Sequence, residues 1–300
     1  KRVELSFFGP IMQSIKNFFL ILLLGTIWGL AYVFLKTAAL DLQPGMQVTF
    51  RLLISSGFLA LIFIRPKHIK DIKENFKPLM LLGLINFGIP FPLIALAAHS
   101  ANAGTMAVLN GIAPLITLII AVNFFALESN KFQIFGLVIG FFGLLIFTGY
   151  NSFHGDLFPL FLCLLATVLF GLSNNFFGQL RHINRFVLAI LPLFFGAIFS
   201  TPLTIYELTI GAPNNFTFNS VGSVMMLGII CTGIGMTGWI YLLKKTSVIV
   251  ASTPTYLVPV TGMIFGYWIL SEPITFTMML GTLLILLGVW IANYFDPRLK

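Results

Sequence analysis

The sequence predicts an all-α integral membrane protein, ten transmembrane helices arranged as two inverted five-helix repeats. Three observations carry that expectation. Of 300 residues, 58% are hydrophobic and only 9% are charged, where a soluble chain carries about 25% charged residues. Apolar stretches of about 20 residues, each long enough to cross a ~30 Å hydrocarbon core as a helix, recur ten times. Pro114, Gly136 and Gly143 return as Pro259, Gly281 and Gly288 at the same intervals. No soluble fold buries this much apolar surface and still shows water a polar exterior, so the exterior faces a lipid bilayer. The stretches are continuous rather than alternating, which argues for helices over a membrane barrel.

The stretches run over residues 17–36, 45–64, 79–98, 103–124, 131–150, 157–177, 186–206, 221–243, 248–270 and 276–294. The first follows Lys16 but continues through Trp28 to Leu35, too far for a secretory h-region, and no small-residue cleavage site follows; it reads as a retained helix. The second carries Arg51 inside its apolar run. The third holds Asn86 four residues before Pro90, with Pro92 beyond, and the fourth repeats that spacing with Asn110 and Pro114. Proline removes a backbone donor and kinks a helix, leaving carbonyls to be met by side chains or water. The fifth and ninth contain Gly136 with Gly140 and Gly262 with Gly266, and the first contains Gly25 with Gly29, spacings that let helices approach closely. The sixth carries the adjacent pair Asn174 and Asn175, of which at most one faces a central cavity. Glu207 ends the seventh, Trp239 lies in the eighth and Tyr256 in the ninth.

Five stretches make each repeat, residues 17–150 and 157–294. An odd number of crossings gives the halves opposite orientations in the membrane. Trp28-Gly29-Leu30 corresponds to Phe170-Gly171-Leu172, and Glu128 and Glu272 fall in matching loops with a one-residue offset. Inverted repeats are a carrier architecture, with sites near the midplane where the halves meet.

The net charge of +8 is explained by topology rather than by a nucleic-acid partner. With the amino terminus in the cytoplasm, every Lys and Arg of the 17 except Lys36 and Arg51 falls on the inner side. The positive-inside rule then puts both termini inside; the expected location is a bacterial inner (plasma) membrane, spanned many times. Cys163 and Cys231 sit in apolar runs, too few for a disulfide framework, and read as inert buried residues.

Several stretches together resemble a known family. These are Trp28-Gly29 with Lys36, Phe50-Arg51-Leu52, Asn86-Phe87-Gly88-Ile89-Pro90-Phe91, Ala107-Val108-Leu109-Asn110 with Pro114, Tyr256-Leu257-Val258-Pro259-Val260, and Ser271-Glu272-Pro273. In order and spacing the chain resembles the EamA-like ten-helix group of the drug/metabolite transporter superfamily, from about Leu20 to Val289. The resemblance implies a secondary carrier of small metabolites, often an exporter of amino acids or related compounds, though some members import. Phe170 in place of a second Trp, and His99 in place of a more ordinary polar residue, depart from the expected pattern.

Polar and aromatic groups inside the membrane are the candidate substrate-binding residues: Trp28, Tyr32, Arg51, Asn86, Asn110, Asn174 and Tyr256. An intramembrane Arg either attracts a substrate carboxylate or ties down neighbouring carbonyls. Asn86 and Asn110 either line a site at broken helix centres or glue helices together. Trp28, Tyr32 and Tyr256 either line a cavity for an apolar or aromatic substrate or serve packing and interface roles. No acidic residue lies in a helix centre, which leaves facilitated diffusion, coupling through substrate charge, or protonation of His99.

The function this predicts is alternating-access transport of a small organic metabolite, an amino acid or related compound, in the export direction. The alternatives are a flippase or carrier of a lipid-linked or cationic drug-like solute, and a membrane-embedded enzyme. The enzyme needs a convergent nucleophile, acid–base or metal constellation; His68, His99, His154 and His182 lie in or near loops, without metal spacing, and His154 with Asp156 make only a short turn. No cofactor is expected.

Overall fold

The computed structural model describes residues 2–97, 109–127, 129–149, 157–270 and 274–299. His99, Glu128, His154, Asp156 and Glu272 lie outside that set, as do the side chains of Tyr32 and Lys36. Among the described residues, nine helices are long and apolar enough to cross a membrane, and Leu109–Phe125 is a shorter apolar tenth.

In chain order they are α1 (Arg2–Ala39), α2 (Pro44–Phe63), α3 (Phe76–Ala97), α4 (Leu109–Phe125), α5 (Lys131–Thr148), α6 (Leu157–Gln179), α7 (Arg185–Thr209) and α8 (Phe218–Lys245). α9 starts as Val248–Ser252 and resumes after a turn as Pro254–Leu270; α10 covers Phe276–Tyr294. A short helix, Ile69–Glu74, lies between α2 and α3. α1 begins well before residue 17. Hydropathy marks where lipid starts, but the polar residues around Lys16 do not break a helix, so the backbone ladder runs on.

Local chemistry sets most ends. Pro44 opens α2, where its missing N–H costs nothing. Asn130, Asn184, Thr217, Ser247 and Thr275 cap the helices that follow them with side-chain oxygens. Ala126 ends α4 in the left-handed region at φ 48°.

The packing partners exchange under the repeat correspondence. α1 packs on α9 as α6 packs on α4, α2 packs on α8 as α7 packs on α3, and α5 pairs with α10 across the most extensive helix contact among the described residues. Glycines make that last contact possible: a Cβ on Gly136 would lie 2.6 Å from the Ala292 amide nitrogen, and one on Gly281 would lie 2.6 Å from the Gly143 carbonyl oxygen. Gly25 and Gly29 bring α1 against Leu257 and Thr261 of α9, whereas Gly262 faces open space and makes no such approach. Large apolar side chains such as Leu61, Phe124 and Phe218, each at least 80% exposed, cover the outside. They match a bilayer exterior rather than water.

Both ends of the bundle are tied across the repeats. At one end Asp41 accepts from the Thr217 hydroxyl and from the Asn215 amide. There Glu207, 6% exposed, accepts the Gly45 and Met46 amides at 2.8 and 3.2 Å. At the other end Asp71 of the first repeat accepts the Asn184 amide of the second, while on the second repeat's own side Lys244 donates to the Ile183 carbonyl and Asp296 accepts the Ser247 amide.

Candidate functional site

Helix interruptions create the polar centre. In α3, Pro90 cannot donate, and the ladder shifts so that the Ile89 amide reaches back five residues to Leu84; Leu84–Gly88 is a π-helical segment containing Asn86. α4 breaks at Ile112, between Asn110 and Pro114. α8 has its own π-helical segment, Leu227–Ile234, carrying Cys231 and Thr232. α9 breaks at Thr253, before Pro254.

These interruptions surround a cavity of ≈220 Å³. From the first repeat it is lined by Trp28, Arg51, Asn86, Phe91 and Asn110, among others; from the second come Phe170, Asn174, Cys231, Thr232, Trp239 and Ser252. Arg51 is the charged residue among the described lining, and no described lining residue is acidic.

The Arg51 Nε donates to the Thr232 hydroxyl at 2.6 Å, and its guanidinium carbon stands 4.7 Å from the centre of the Phe91 ring. The Ser173 hydroxyl donates to Asn86 Oδ1, so the carbonyl end of that amide is engaged by α6. Asn174 donates through Nδ2 to the Thr117 hydroxyl at 3.2 Å, while Asn175 is fully buried against the Thr117 and Gly171 carbonyls. One Asn of the adjacent pair thus faces the cavity and the other binds helix to helix. Trp239 points its indole N–H at the Ala251 carbonyl, 2.6 Å away, and its ring meets Phe177 in a T-shaped contact.

Five of the residues singled out in the sequence, Trp28, Arg51, Asn86, Asn110 and Asn174, come together around this space. Tyr32 falls outside the described side chains. Tyr256 is placed elsewhere: it is fully buried, packs beside Gly140, and donates its hydroxyl to the Leu137 carbonyl at 3.0 Å. The face of α9 that carries it turns toward α5, so its hydroxyl is spent inside the fold. Thr232, Phe91 and Cys231 were not legible as cavity residues. An apolar ring, a thiol and a lone hydroxyl in apolar runs give no signal of the face they occupy.

A model of the EamA-like transporter family matches residues 15–149 and again residues 157–294. The chain belongs to the EamA-like transporter family. Among its relatives, the uncharacterized transporter YoaV of Bacillus subtilis (strain 168) is 29% identical over 281 residues, covering 91% of this chain and 95% of that protein. The probable amino-acid metabolite efflux pump of Escherichia coli (strain K12) is 26% identical, covering 95% of this chain and 97% of its own. An uncharacterized inner membrane transporter of the same organism, YedA, is 23% identical. A solved crystal structure superposes with a TM-score of 0.78 at 13% identity, over 96% of this chain and 98% of the other, a likeness of fold. This EamA-like protein is therefore a multi-pass membrane transporter.

Proposed function

We infer that the protein is a secondary carrier that exports a small organic metabolite, an amino acid or a related compound, by alternating access. One observation carries the reading: the cavity sits among interrupted helices and draws its lining from both repeats, with one guanidinium, three amides and three hydroxyls in a mainly apolar wall. Arg51 supplies a cation for a carboxylate; Asn86, Asn110 and Asn174 supply orienting polar groups; Trp28 and its neighbours take the apolar body. A lining with Arg51 and no described acidic residue disfavours a cationic drug. The efflux-pump relative agrees with export of an amino-acid metabolite.

The repeat boundaries at residues 17–150 and 157–294 are part of this reading, as is the orientation. The Lys- and Arg-rich end faces the cytoplasm with both termini, in a bacterial inner membrane. Rocking one repeat against the other would open the cavity to each side in turn.

The test is a thermal-shift screen of detergent-solubilised protein against amino acids, nucleosides, sugars and cationic drugs, followed by flux in proteoliposomes. Amino acids should stabilise the wild type by mass action, and Arg51→Ala should abolish that stabilisation at normal folded yield. Stabilisation by cationic drugs or lipid-like compounds alone would sink the reading.

A further inference from the structure

The two halves are related closely enough that their differences can be read residue against residue. The interval that carries Pro114 to Pro259 also carries Gly83 to Gly228, Phe87 to Thr232 and Gly88 to Gly233. Both copies lie at a π-helical segment. The facing helices correspond too: a Cβ on Gly228 would press on Ile54 and the Arg51 carbonyl, and one on Gly83 would press on Phe195 and the Pro192 carbonyl. Arg51 therefore stands where the other half has Pro192, and Thr232 stands where the other half has Phe87. At one of these equivalent places the pair is a cation and a hydroxyl; at the other it is two apolar residues.

The exchange is concerted for a physical reason. A guanidinium N–H buried without an acceptor costs more than a neutral one, and a Phe at position 232 would offer none. Thr232, 4% exposed, brings its oxygen to 2.6 Å from Arg51 Nε. Phe91, from the first repeat, supplies a ring face for the same guanidinium. The cation is thus held from both halves of the molecule.

We propose that Thr232 is the positioning residue for Arg51: its hydroxyl, carried on the π-helical segment of α8, fixes the guanidinium against Phe91 so that the cavity selects a carboxylate-bearing solute over its neutral-headed counterpart. The proposal rests on the reading of the cavity as the substrate site. Thr232 acts through Arg51 and need not touch the solute itself.

Purified wild type, Thr232→Val, Thr232→Ser and Arg51→Gln would be titrated by thermal shift with L-phenylalanine and L-phenylalaninamide, and with L-leucine and L-leucinamide. The wild type should prefer the acids. Thr232→Val should weaken the acids about tenfold or more while the amides change little, as expected for a misplaced charge-assisted contact. Thr232→Ser, which restores the oxygen, should restore the preference. If Thr232→Val fails to fold, Phe91→Leu provides the second variant and should show the same selective loss. Wild-type preference in a folded Thr232→Val, alongside its loss in Arg51→Gln, would overturn the positioning role alone. A wild type that shows no preference for acids would overturn the carboxylate reading and this proposal with it.

Discussion

Replacing Glu207 by Ala should unlatch the amino end of α2 from α7. The carboxylate is 6% exposed and accepts two amides from the first turn of α2, Gly45 at 2.8 Å and Met46 at 3.2 Å. A helix amino terminus has no intrahelical acceptors for these donors, and its partial positive charge favours an anion. Position 45 must be Gly for the approach, since a Cβ there would lie 2.7 Å from Glu207 Oε2. Alanine leaves two buried donors unmet at about 1–3 kcal/mol each. Water entering at the helix end recovers part of this, for a net loss of about 2–4 kcal/mol. At roughly 2 °C per kcal/mol for a chain this long, the melting temperature should fall by about 4–8 °C. Glu207→Gln keeps one acceptor and should lose about half as much. Intrinsic-fluorescence melts of the detergent-solubilised variants read both numbers. An Ala variant within about 1 °C of wild type, or a Gln variant as damaged as Ala, would refute the hydrogen-bond account.

Gly136→Ala should lower folded yield and melting temperature, because its Cβ would meet the α10 backbone at Ala292 at 2.6 Å, overpacking that costs about 1–3 kcal/mol or more. Gly57→Ala, in the interior of α2 with nothing within 4 Å, should be neutral or stabilising by up to about 1 kcal/mol in the same assay. Asp296 follows α10 and is fully buried; burial pushes its carboxyl above the ordinary value, partly offset by amide hydrogen bonds from Ser247 and Arg298. The folded state then holds that proton more tightly than the unfolded chain, so this group's contribution is greatest below the ordinary carboxylate range. It is lost as pH rises through the raised folded value. Melts across mildly acidic pH should show that declining component in wild type and not in Asp296→Asn.

The number of helices and the family were legible in the chain because membrane insertion is decided segment by segment. A stretch of about 20 apolar residues announces itself whatever it packs against. The repeat was legible from Pro114, Gly136 and Gly143 because each meets a backbone requirement that few other residues satisfy. Arg51, Asn86 and Asn110 stood out for a similar reason, as polar groups that must find partners in a setting without water. Helix faces were another matter. In a soluble helix the apolar stripe marks the inside, but here lipid and protein interior are equally apolar, and that marker is missing. Nothing in the sequence of α9 says that Tyr256 turns to the Leu137 carbonyl, or in α8 that Thr232 turns to Arg51. Pro90 foretold a kink in α3, yet only the packed helix shows the ladder shifting to a π-helical segment around Asn86. Glu207 was visible at the end of an apolar stretch, while the amides it caps come from α2, far away in sequence. By itself the sequence determined how many times the chain crosses the membrane, and that it does so as two related halves. Only the tertiary structure decided which side chains share the space between those halves, because that choice depends on which neighbour each helix face meets.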